Sequence, residues 1–296
     1  MTRQEKKRLI WGIFFISPWL LGLIGLTLYP IIASLYYSFC DYDVLSTPAW
    51  VGALNYQDMF TDKVFWKSLY NTLIFAVFAV PAGIITSLFF AVLLNTRIKG
   101  KSILRTLFFL PSLVPMVATA MIWLWIFNGK FGLLNYALGL LGIEGPNWLA
   151  DEVWTKPALI LTCIWGVGNQ IVIYLAALQD VPRQLYEAAE IDGASWWHKL
   201  KNITLPMISP VIYFNMIMAI IGSLQVFAQP YIMFGGGTGG PNRSCLLYAV
   251  YLYQNAFSYN RMGYACAMAW ILFLIIMFLT WLATRMTRKH IYYGGN

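Results

Sequence analysis

A chain of 296 residues that is 59% hydrophobic and only 11% charged carries more apolar surface than a water-soluble fold of its size can bury, since soluble domains hold about 25% charged residues. The mean hydropathy of +0.64 and the 17% aromatic share, with 13 Trp, point the same way, because Trp and Tyr collect at membrane–water interfaces. The net charge of +8 suggests nucleic acid only until its distribution is examined.

A bilayer core needs about 20 consecutive apolar residues in a helix. Six stretches meet that requirement, at 10–36, 70–95, 104–127, 157–179, 207–232 and 262–284, and none holds a Lys, Arg, Asp or Glu well inside it. The first follows Arg3, Lys6, Lys7 and Arg8, as a signal sequence would. Its apolar run is too long for a cleaved peptide and lacks a small-residue cleavage site, so it reads as an uncleaved anchor. Pro81 lies in the second stretch, Pro111 and Pro115 open the third, and Pro210 sits in the fifth. Each removes a backbone donor and is expected to kink its helix. The expected fold is all-α, one polytopic transmembrane domain over residues 1–296 with six spans.

Orientation follows from Lys and Arg in alternate loops. One side carries 14 of the 20, in the N-terminal tail, at 97–105, at 183–201 and from Arg285 to Lys289. The other side has six, with Asp41, Asp43, Asp58, Asp62, Glu144, Asp151 and Glu152. Both termini are therefore expected inside, and nucleic acid drops out as a partner. Cys40, Cys163, Cys245 and Cys266 show no CxxC spacing, so neither metal nor redox chemistry is indicated. A Cys40–Cys245 bridge on the outer face is conceivable, but free thiols are the expected state.

The loop between the fourth and fifth stretches, 180–206, is unusual for a connector. Asp180 is expected to cap a helix, Pro182 suits its first turn and Gly193 supplies a left-handed terminator. Between them Leu185, Ala188, Ala189 and Asp192 share one face, with Glu187 and Glu190 on another. A second short helix, roughly Ser195 to Lys201, presents Trp196 and Trp197 and is expected to stop at Leu205–Pro206. Physics leaves two readings open: a helix whose small residues dock into another protein, or an interfacial helix resting on lipid headgroups.

The run Glu187-Ala188-Ala189, then Gly193, then Ile203 and Leu205-Pro206 resembles the "EAA…G…I.LP" loop of binding-protein-dependent ABC importer permeases. The form YEAAEIDGAS…ITLP is similar to the carbohydrate branch. The segments YPIIASLYYSF, WVGALNY, SLYNTLIF and GGPNRS extend the likeness across the chain, toward the larger maltose-transporter permease and the first glycerol-phosphate permease. The resemblance implies a type I importer permease working with a second homologous permease, an ATPase subunit dimer and an extracytoplasmic solute-binding protein. It also implies that Glu187, Ala188, Ala189, Asp192 and Gly193 couple to the ATPase, with Leu205 and Pro206 shaping the return to the membrane. No cofactor is then expected in this chain; ATP and magnesium belong to the ATPase, and the bacterial cytoplasmic membrane is the implied location.

For the substrate, Asn215, Met218, Gly222, Gln225 and Gln229 fall on one helical stripe of the fifth stretch, and Asn169 and Gln170 lie at mid-depth in the fourth. Neutral amides suit sugar hydroxyls, although intramembrane amides also pair with neighbouring helices. A gradient-driven carrier is the competing class, yet the stretches lack the buried ionisable groups such carriers use, and His198 and His290 fall in cytoplasmic segments. The same importer class with a glycerol-phosphate-like substrate is a further alternative. Neither a nucleophile–base pair nor a GxxxxGK[ST] loop is present, so energy must come from a partner.

The charge distribution sets the first prediction. A reporter fused after Lys289 is expected to behave as cytoplasmic and one inserted near Glu144 as external. Finding both on one side defeats the six-span reading.

Overall fold

The structure, a computed structural model, describes residues 2–96, 99–288 and 291–292. Arg97, Lys289 and His290, which entered the reading of orientation, lie outside the described residues. The chain runs through α1 (Arg3–Gly22), a wide π-type turn Leu23–Leu28 and α2 (Tyr29–Tyr37). A two-stranded antiparallel hairpin follows, β1 (Cys40–Asp41) and β2 (Ala49–Trp50), and then α3 (Leu54–Thr61) and α4 (Lys63–Asn95). Next come α5 (Lys101–Phe109), a 3-10 turn Leu110–Leu113, α6 (Met116–Ile126), α7 (Leu133–Leu140), α8 (Thr155–Trp165) and α9 (Gly168–Gln179). The remainder is α10 (Arg183–Ile191), α11 (Trp196–Lys199), a second π-type turn Leu200–Thr204, α12 (Leu205–Met207), α13 (Ser209–Leu224), α14 (Ala228–Met233), α15 (Tyr248–Tyr253) and α16 (Met262–Thr287).

Four helical runs are long and apolar enough to cross a bilayer: Arg3–Tyr37, Lys63–Asn95, Ser209–Met233 and Met262–Thr287. Two further pairs qualify together but are bent, Lys101–Leu113 with Met116–Ile126 by 100° and Thr155–Trp165 with Gly168–Gln179 by 48°. The chain is therefore a multi-pass membrane protein with four to six candidate spans. The stretch at 104–127 is not one straight helix. Val114 takes an extended conformation (ψ 129°) ahead of Pro115, the conformation that a following proline favours. Pro81, by contrast, lies inside α4 without interrupting it.

The chain forms two compact units. The first comprises Met1–Asp62 and Leu252–Phe273. Thr2 and Glu5 open α1 with a reciprocal capping box: the Thr2 hydroxyl accepts from the Glu5 amide at 3.3 Å, and the Thr2 amide donates to the Glu5 carboxylate at 2.7 Å. The π-type turn carries the helix up to Pro30, Tyr29 N donating to Ile24 O. The side-chain amide of buried Asn55 donates to Ser38 O at 3.0 Å and Cys40 O at 2.9 Å, fixing α3 to the hairpin. The Tyr264 hydroxyl donates to Asp62 at 2.9 Å, tying the start of α16 to the chain after α3.

The second unit comprises Lys63–Tyr251 and Leu274–Asn296. At 33 residues and about 1.5 Å per residue, α4 spans about 50 Å, and α8, α9 and α13 pack along it. Its buried core gathers Ala91 and Leu94 of α4, Ile171, Tyr174, Leu175 and Leu178 of α9, and Val181 and Ile208 beyond it. Gly168 lets α9 begin against the end of α5: a Cβ there would lie 2.6 Å from Phe108 O and 3.0 Å from Phe109 Cα. The loop before α15 is pinned by polar side chains. Asn71 Nδ2 donates to Arg243 O at 2.9 Å and Leu246 O at 3.1 Å, the Thr72 hydroxyl accepts from Tyr248 N at 2.7 Å, and the Thr155 and Ser244 hydroxyls meet at 2.8 Å. All four described cysteines are free thiols.

Fully buried Asn71 adds a second donor to Arg243 O, which already accepts from Leu246 N at 3.2 Å, and donates to Leu246 O. Asn71→Leu is expected to take the side-chain donor from Leu246 O and cost about 1–3 kcal/mol, lowering the unfolding midpoint of the solubilised protein. The same change at exposed Asn202 is expected to stay within about 0.5 kcal/mol.

Candidate functional site

The 180–206 loop is held on one side and open on the other. Its helix α10 starts at Pro182, which sits at the N-cap with φ −58° and ψ 127°. Asp180 does not cap it. That residue closes α9 instead, in a helical conformation, its N–H donating to Ala176 O. Inside α10 the Tyr186 hydroxyl meets Thr204 Oγ1 at 2.9 Å, and Thr204 Oγ1 also donates to Lys199 O at 3.2 Å. Tyr186 and Ile203 pack onto the core around Leu178, Val181 and Ile208. Lys199 Nζ reaches Glu190 Oε1 at 2.9 Å and clamps α11 to α10.

The remaining faces are bare. Glu187, Ala188 and Asp192 are exposed, Ile191 is 87% exposed and Ala189 is half-buried. The helix ends as the glycine requires. Gly193 has φ +73°, its N–H donates to Glu190 O at 3.1 Å, and Ala194 N donates to Ala189 O at 2.8 Å. This is the paired C-terminal pattern that a left-handed residue closes. Ser195 then caps α11, its hydroxyl 2.9 Å from His198 Nδ1. Trp196 and Trp197 stand edge to face at 4.8 Å, both exposed.

Half-buried Leu205 and Pro206 do not stop the second helix. The π-type turn Leu200–Thr204 lets Leu205 N donate to Leu200 O and carries the chain past Pro206, which has no N–H to place. The break comes at Ile208 (φ −92°, ψ 3°), just before Ser209-Pro210. Sequence reasoning missed Tyr186, which anchors the loop; its one signal was an aromatic ring beside Leu185 in an otherwise polar and small-residue helix.

A cavity of about 280 Å³ lies between α4, α8–α9 and α13, lined among others by Phe75, Gly83, Cys163, Gln170, Met218, Gly222 and Ser223. Gln170 Oε1 is buried there and has no hydrogen-bond partner among the described residues. The expected amides separate. Asn215 is buried but donates to Val211 O of its own helix at 3.0 Å. Because α13 ends at Leu224, Gln225 is its exposed C-cap and the stripe does not run on as one face. Half-buried Gln229 sits on α14, where its Oε1 accepts from Cys163 Sγ at 3.6 Å. Asn169 is exposed at the start of α9. Gln170, Met218 and Gly222 are thus brought together, and Asn169 and Asn215 are not. Cys163 and Ser223 join the lining without having been singled out.

The family described as the binding-protein-dependent transport system inner membrane component matches residues 79–291. The chain belongs to this family. This inner membrane component is 38% identical over 295 residues to the probable ABC transporter permease protein YesP of Bacillus subtilis, covering 99% of this chain and 95% of that protein. It is 35% identical to the lactose transport system permease protein LacF of Rhizobium radiobacter, with 92% of each covered. It is 32% identical to the trehalose/maltose transport system permease protein MalF of Thermococcus litoralis, covering 91% of this chain and 90% of that one. Its fold is that of a chain in the crystal structure of a bacterial alginate ABC transporter in complex with alginate pentasaccharide-bound periplasmic protein. The TM-score is 0.86, with 97% of this chain and 96% of that one covered at 22% identity.

The loop geometry sets a prediction for this inner membrane component. No atom lies within 4 Å of a Cβ built at Gly193, so a side chain there meets only backbone strain of about 1–2 kcal/mol. Gly193→Val, and Tyr186→Phe through its lost hydroxyl contact worth about 1 kcal/mol, are both expected to loosen the loop. Limited trypsin cleavage at Arg183, Lys199 and Lys201 should accelerate several-fold in each.

Proposed function

We propose that the chain crosses the bacterial cytoplasmic membrane six times with both termini inside, as one permease domain over residues 1–296. In this reading each bent pair counts as one span, and the loop at 180–206 is cytoplasmic. The chain is the non-catalytic permease subunit of an ATP-driven importer for a sugar or oligosaccharide. It works with a second homologous permease, two ATPase subunits that hold ATP and magnesium, and an extracytoplasmic solute-binding protein that delivers substrate.

The observation that carries the reading is α10, a rigidly backed helix that presents Glu187, Ala188 and Asp192 outward and ends on Gly193. A helix clamped by Tyr186–Thr204 and Glu190–Lys199 transmits a push instead of absorbing it. Glu187, Ala188, Ala189, Asp192 and Gly193 are its contact with the ATPase, while Leu205 and Pro206 pass the movement into α13. Closure of the ATPase pair would then tilt α9 and α13, which flank the loop, and expose the pathway to one side at a time. The substrate reading draws on the neutral cavity, where Gln170 offers an unpaired carbonyl oxygen, with Gln225 and Gln229 at the helix break beside it in sequence. Asn169 and Asn215 are secondary candidates. Relatives named for lactose and for trehalose/maltose transport support a saccharide.

Reconstitution tests this. In vesicles the chain alone is expected to give neither ATP hydrolysis nor saccharide flux, and the full assembly is expected to give both. Ala189→Trp should insert normally yet lose the ATPase or its response to substrate. Gln170→Leu should weaken transport affinity about 5- to 150-fold, as an unpaired hydroxyl costs about 1–3 kcal/mol, with hydrolysis retained. Gradient-driven flux by the lone chain, or parental transport by Ala189→Trp, defeats the assignment.

A further inference from the structure

A groove of about 490 Å³ runs between α4 and α8, apart from the cavity described above. Ile74, Phe78 and Ala82 form one wall, Ile160, Leu161 and Ile164 the other, and Lys156 stands at one end. We propose that this groove holds the acyl chain of an anionic phospholipid, with Lys156 taking its phosphate.

Three features fit that occupant. The walls are aliphatic and aromatic, and Phe78 is 59% exposed, a face that only lipid or another apolar surface satisfies. From Ile74 to Ala82 the wall rises about 12 Å at 1.5 Å per residue, close to the depth of one leaflet, about half of the 30 Å core. Lys156 lies in the first turn of α8, at the interface end of its span, and makes no ion pair among the described residues. Nearby Glu152 acts on it only through space, without an ion pair. That carboxylate lies 3.9 Å from Lys67 and accepts from Asn242 Nδ2 at 3.2 and 3.3 Å. An apolar slot ending in an ammonium without an ion pair at headgroup depth selects an anionic headgroup over a zwitterionic one, because the latter brings its own cation. The orientation proposed above assigns the site to the outer leaflet.

Native mass spectrometry of the full chain, released from detergent with equal amounts of phosphatidylglycerol and phosphatidylcholine, tests the proposal. Phosphatidylglycerol is expected to be retained about fivefold over phosphatidylcholine. Lys156→Gln should bring the two to parity, and Ala82→Leu, which fills the groove without touching the charge, should lower retention of both. Equal retention by the parent chain, or unchanged retention in both variants, overturns it. So does loss of the lipid when the partner subunits are added, which assigns the groove to a neighbouring chain. The binding readout does not depend on transport or orientation, so its failure and that of the importer reading are separately visible.

Discussion

Backbone amides and carbonyls have no water to turn to inside hydrocarbon, so every departure from a continuous helix must be repaid by protein. That constraint organises the second unit. Unbroken α4 is the post, and the helices that break do so where other backbone or side chains close over the gap. The start of α9 rests on Phe108 and Phe109 because Gly168 has no Cβ to hold them off. The break at 225–227 passes into α14, which packs against α6. The breaks are thus places where helix geometry was given up and packing retained.

The same requirement explains why buried amides and hydroxyls cluster where the chain is irregular. Asn55 in the first unit and Asn71 in the second each donate twice to backbone carbonyls of a nearby loop. A buried amide used this way replaces helical hydrogen bonds and fixes a unique loop path. Gln170 differs. Its Oε1 faces a cavity without a partner among the described residues, and a buried acceptor left open is costly unless something else fills it. Asn71 Oδ1 is likewise without a partner among the described residues, so what sets the candidate substrate amide apart is the cavity that Gln170 lines, not its residue type.

The exposed loop is governed by a different balance. Helix α10 has nine residues, too few to persist alone, and its hydrogen-bonding and ionic ties are Tyr186–Thr204 and Glu190–Lys199. Those contacts use one side of the helix and leave the other free for a partner. The two π-type turns, before Pro30 and before Pro206, play a related role: each widens the helix by one residue so that it passes a proline without breaking.

Much of this was legible in the residues. Apolar run length located the four long runs and the two bent pairs that can cross a bilayer, because the membrane imposes a length and a composition at once. Gly193 announced the end of α10, because one backbone conformation there excludes nearly every other residue. The loop motif named the family because it is specific. What the sequence left open was decided by neighbours distant in the chain. Hydropathy does not register bending, so the 100° turn between α5 and α6 was invisible, as was the end of α13 that divides the polar stripe. Periodicity placed Asn215 and Gln225 on one face, but it does not say whether an amide faces a cavity or its own helix. Asp180 and Pro182 compete for one cap, and local propensity alone does not choose. The sequence by itself determined a multi-pass helical permease and its family's loop motif, since lipid and backbone sterics act locally. Only tertiary structure decided which amide lines a cavity, because a cavity is bounded by helices distant in the chain.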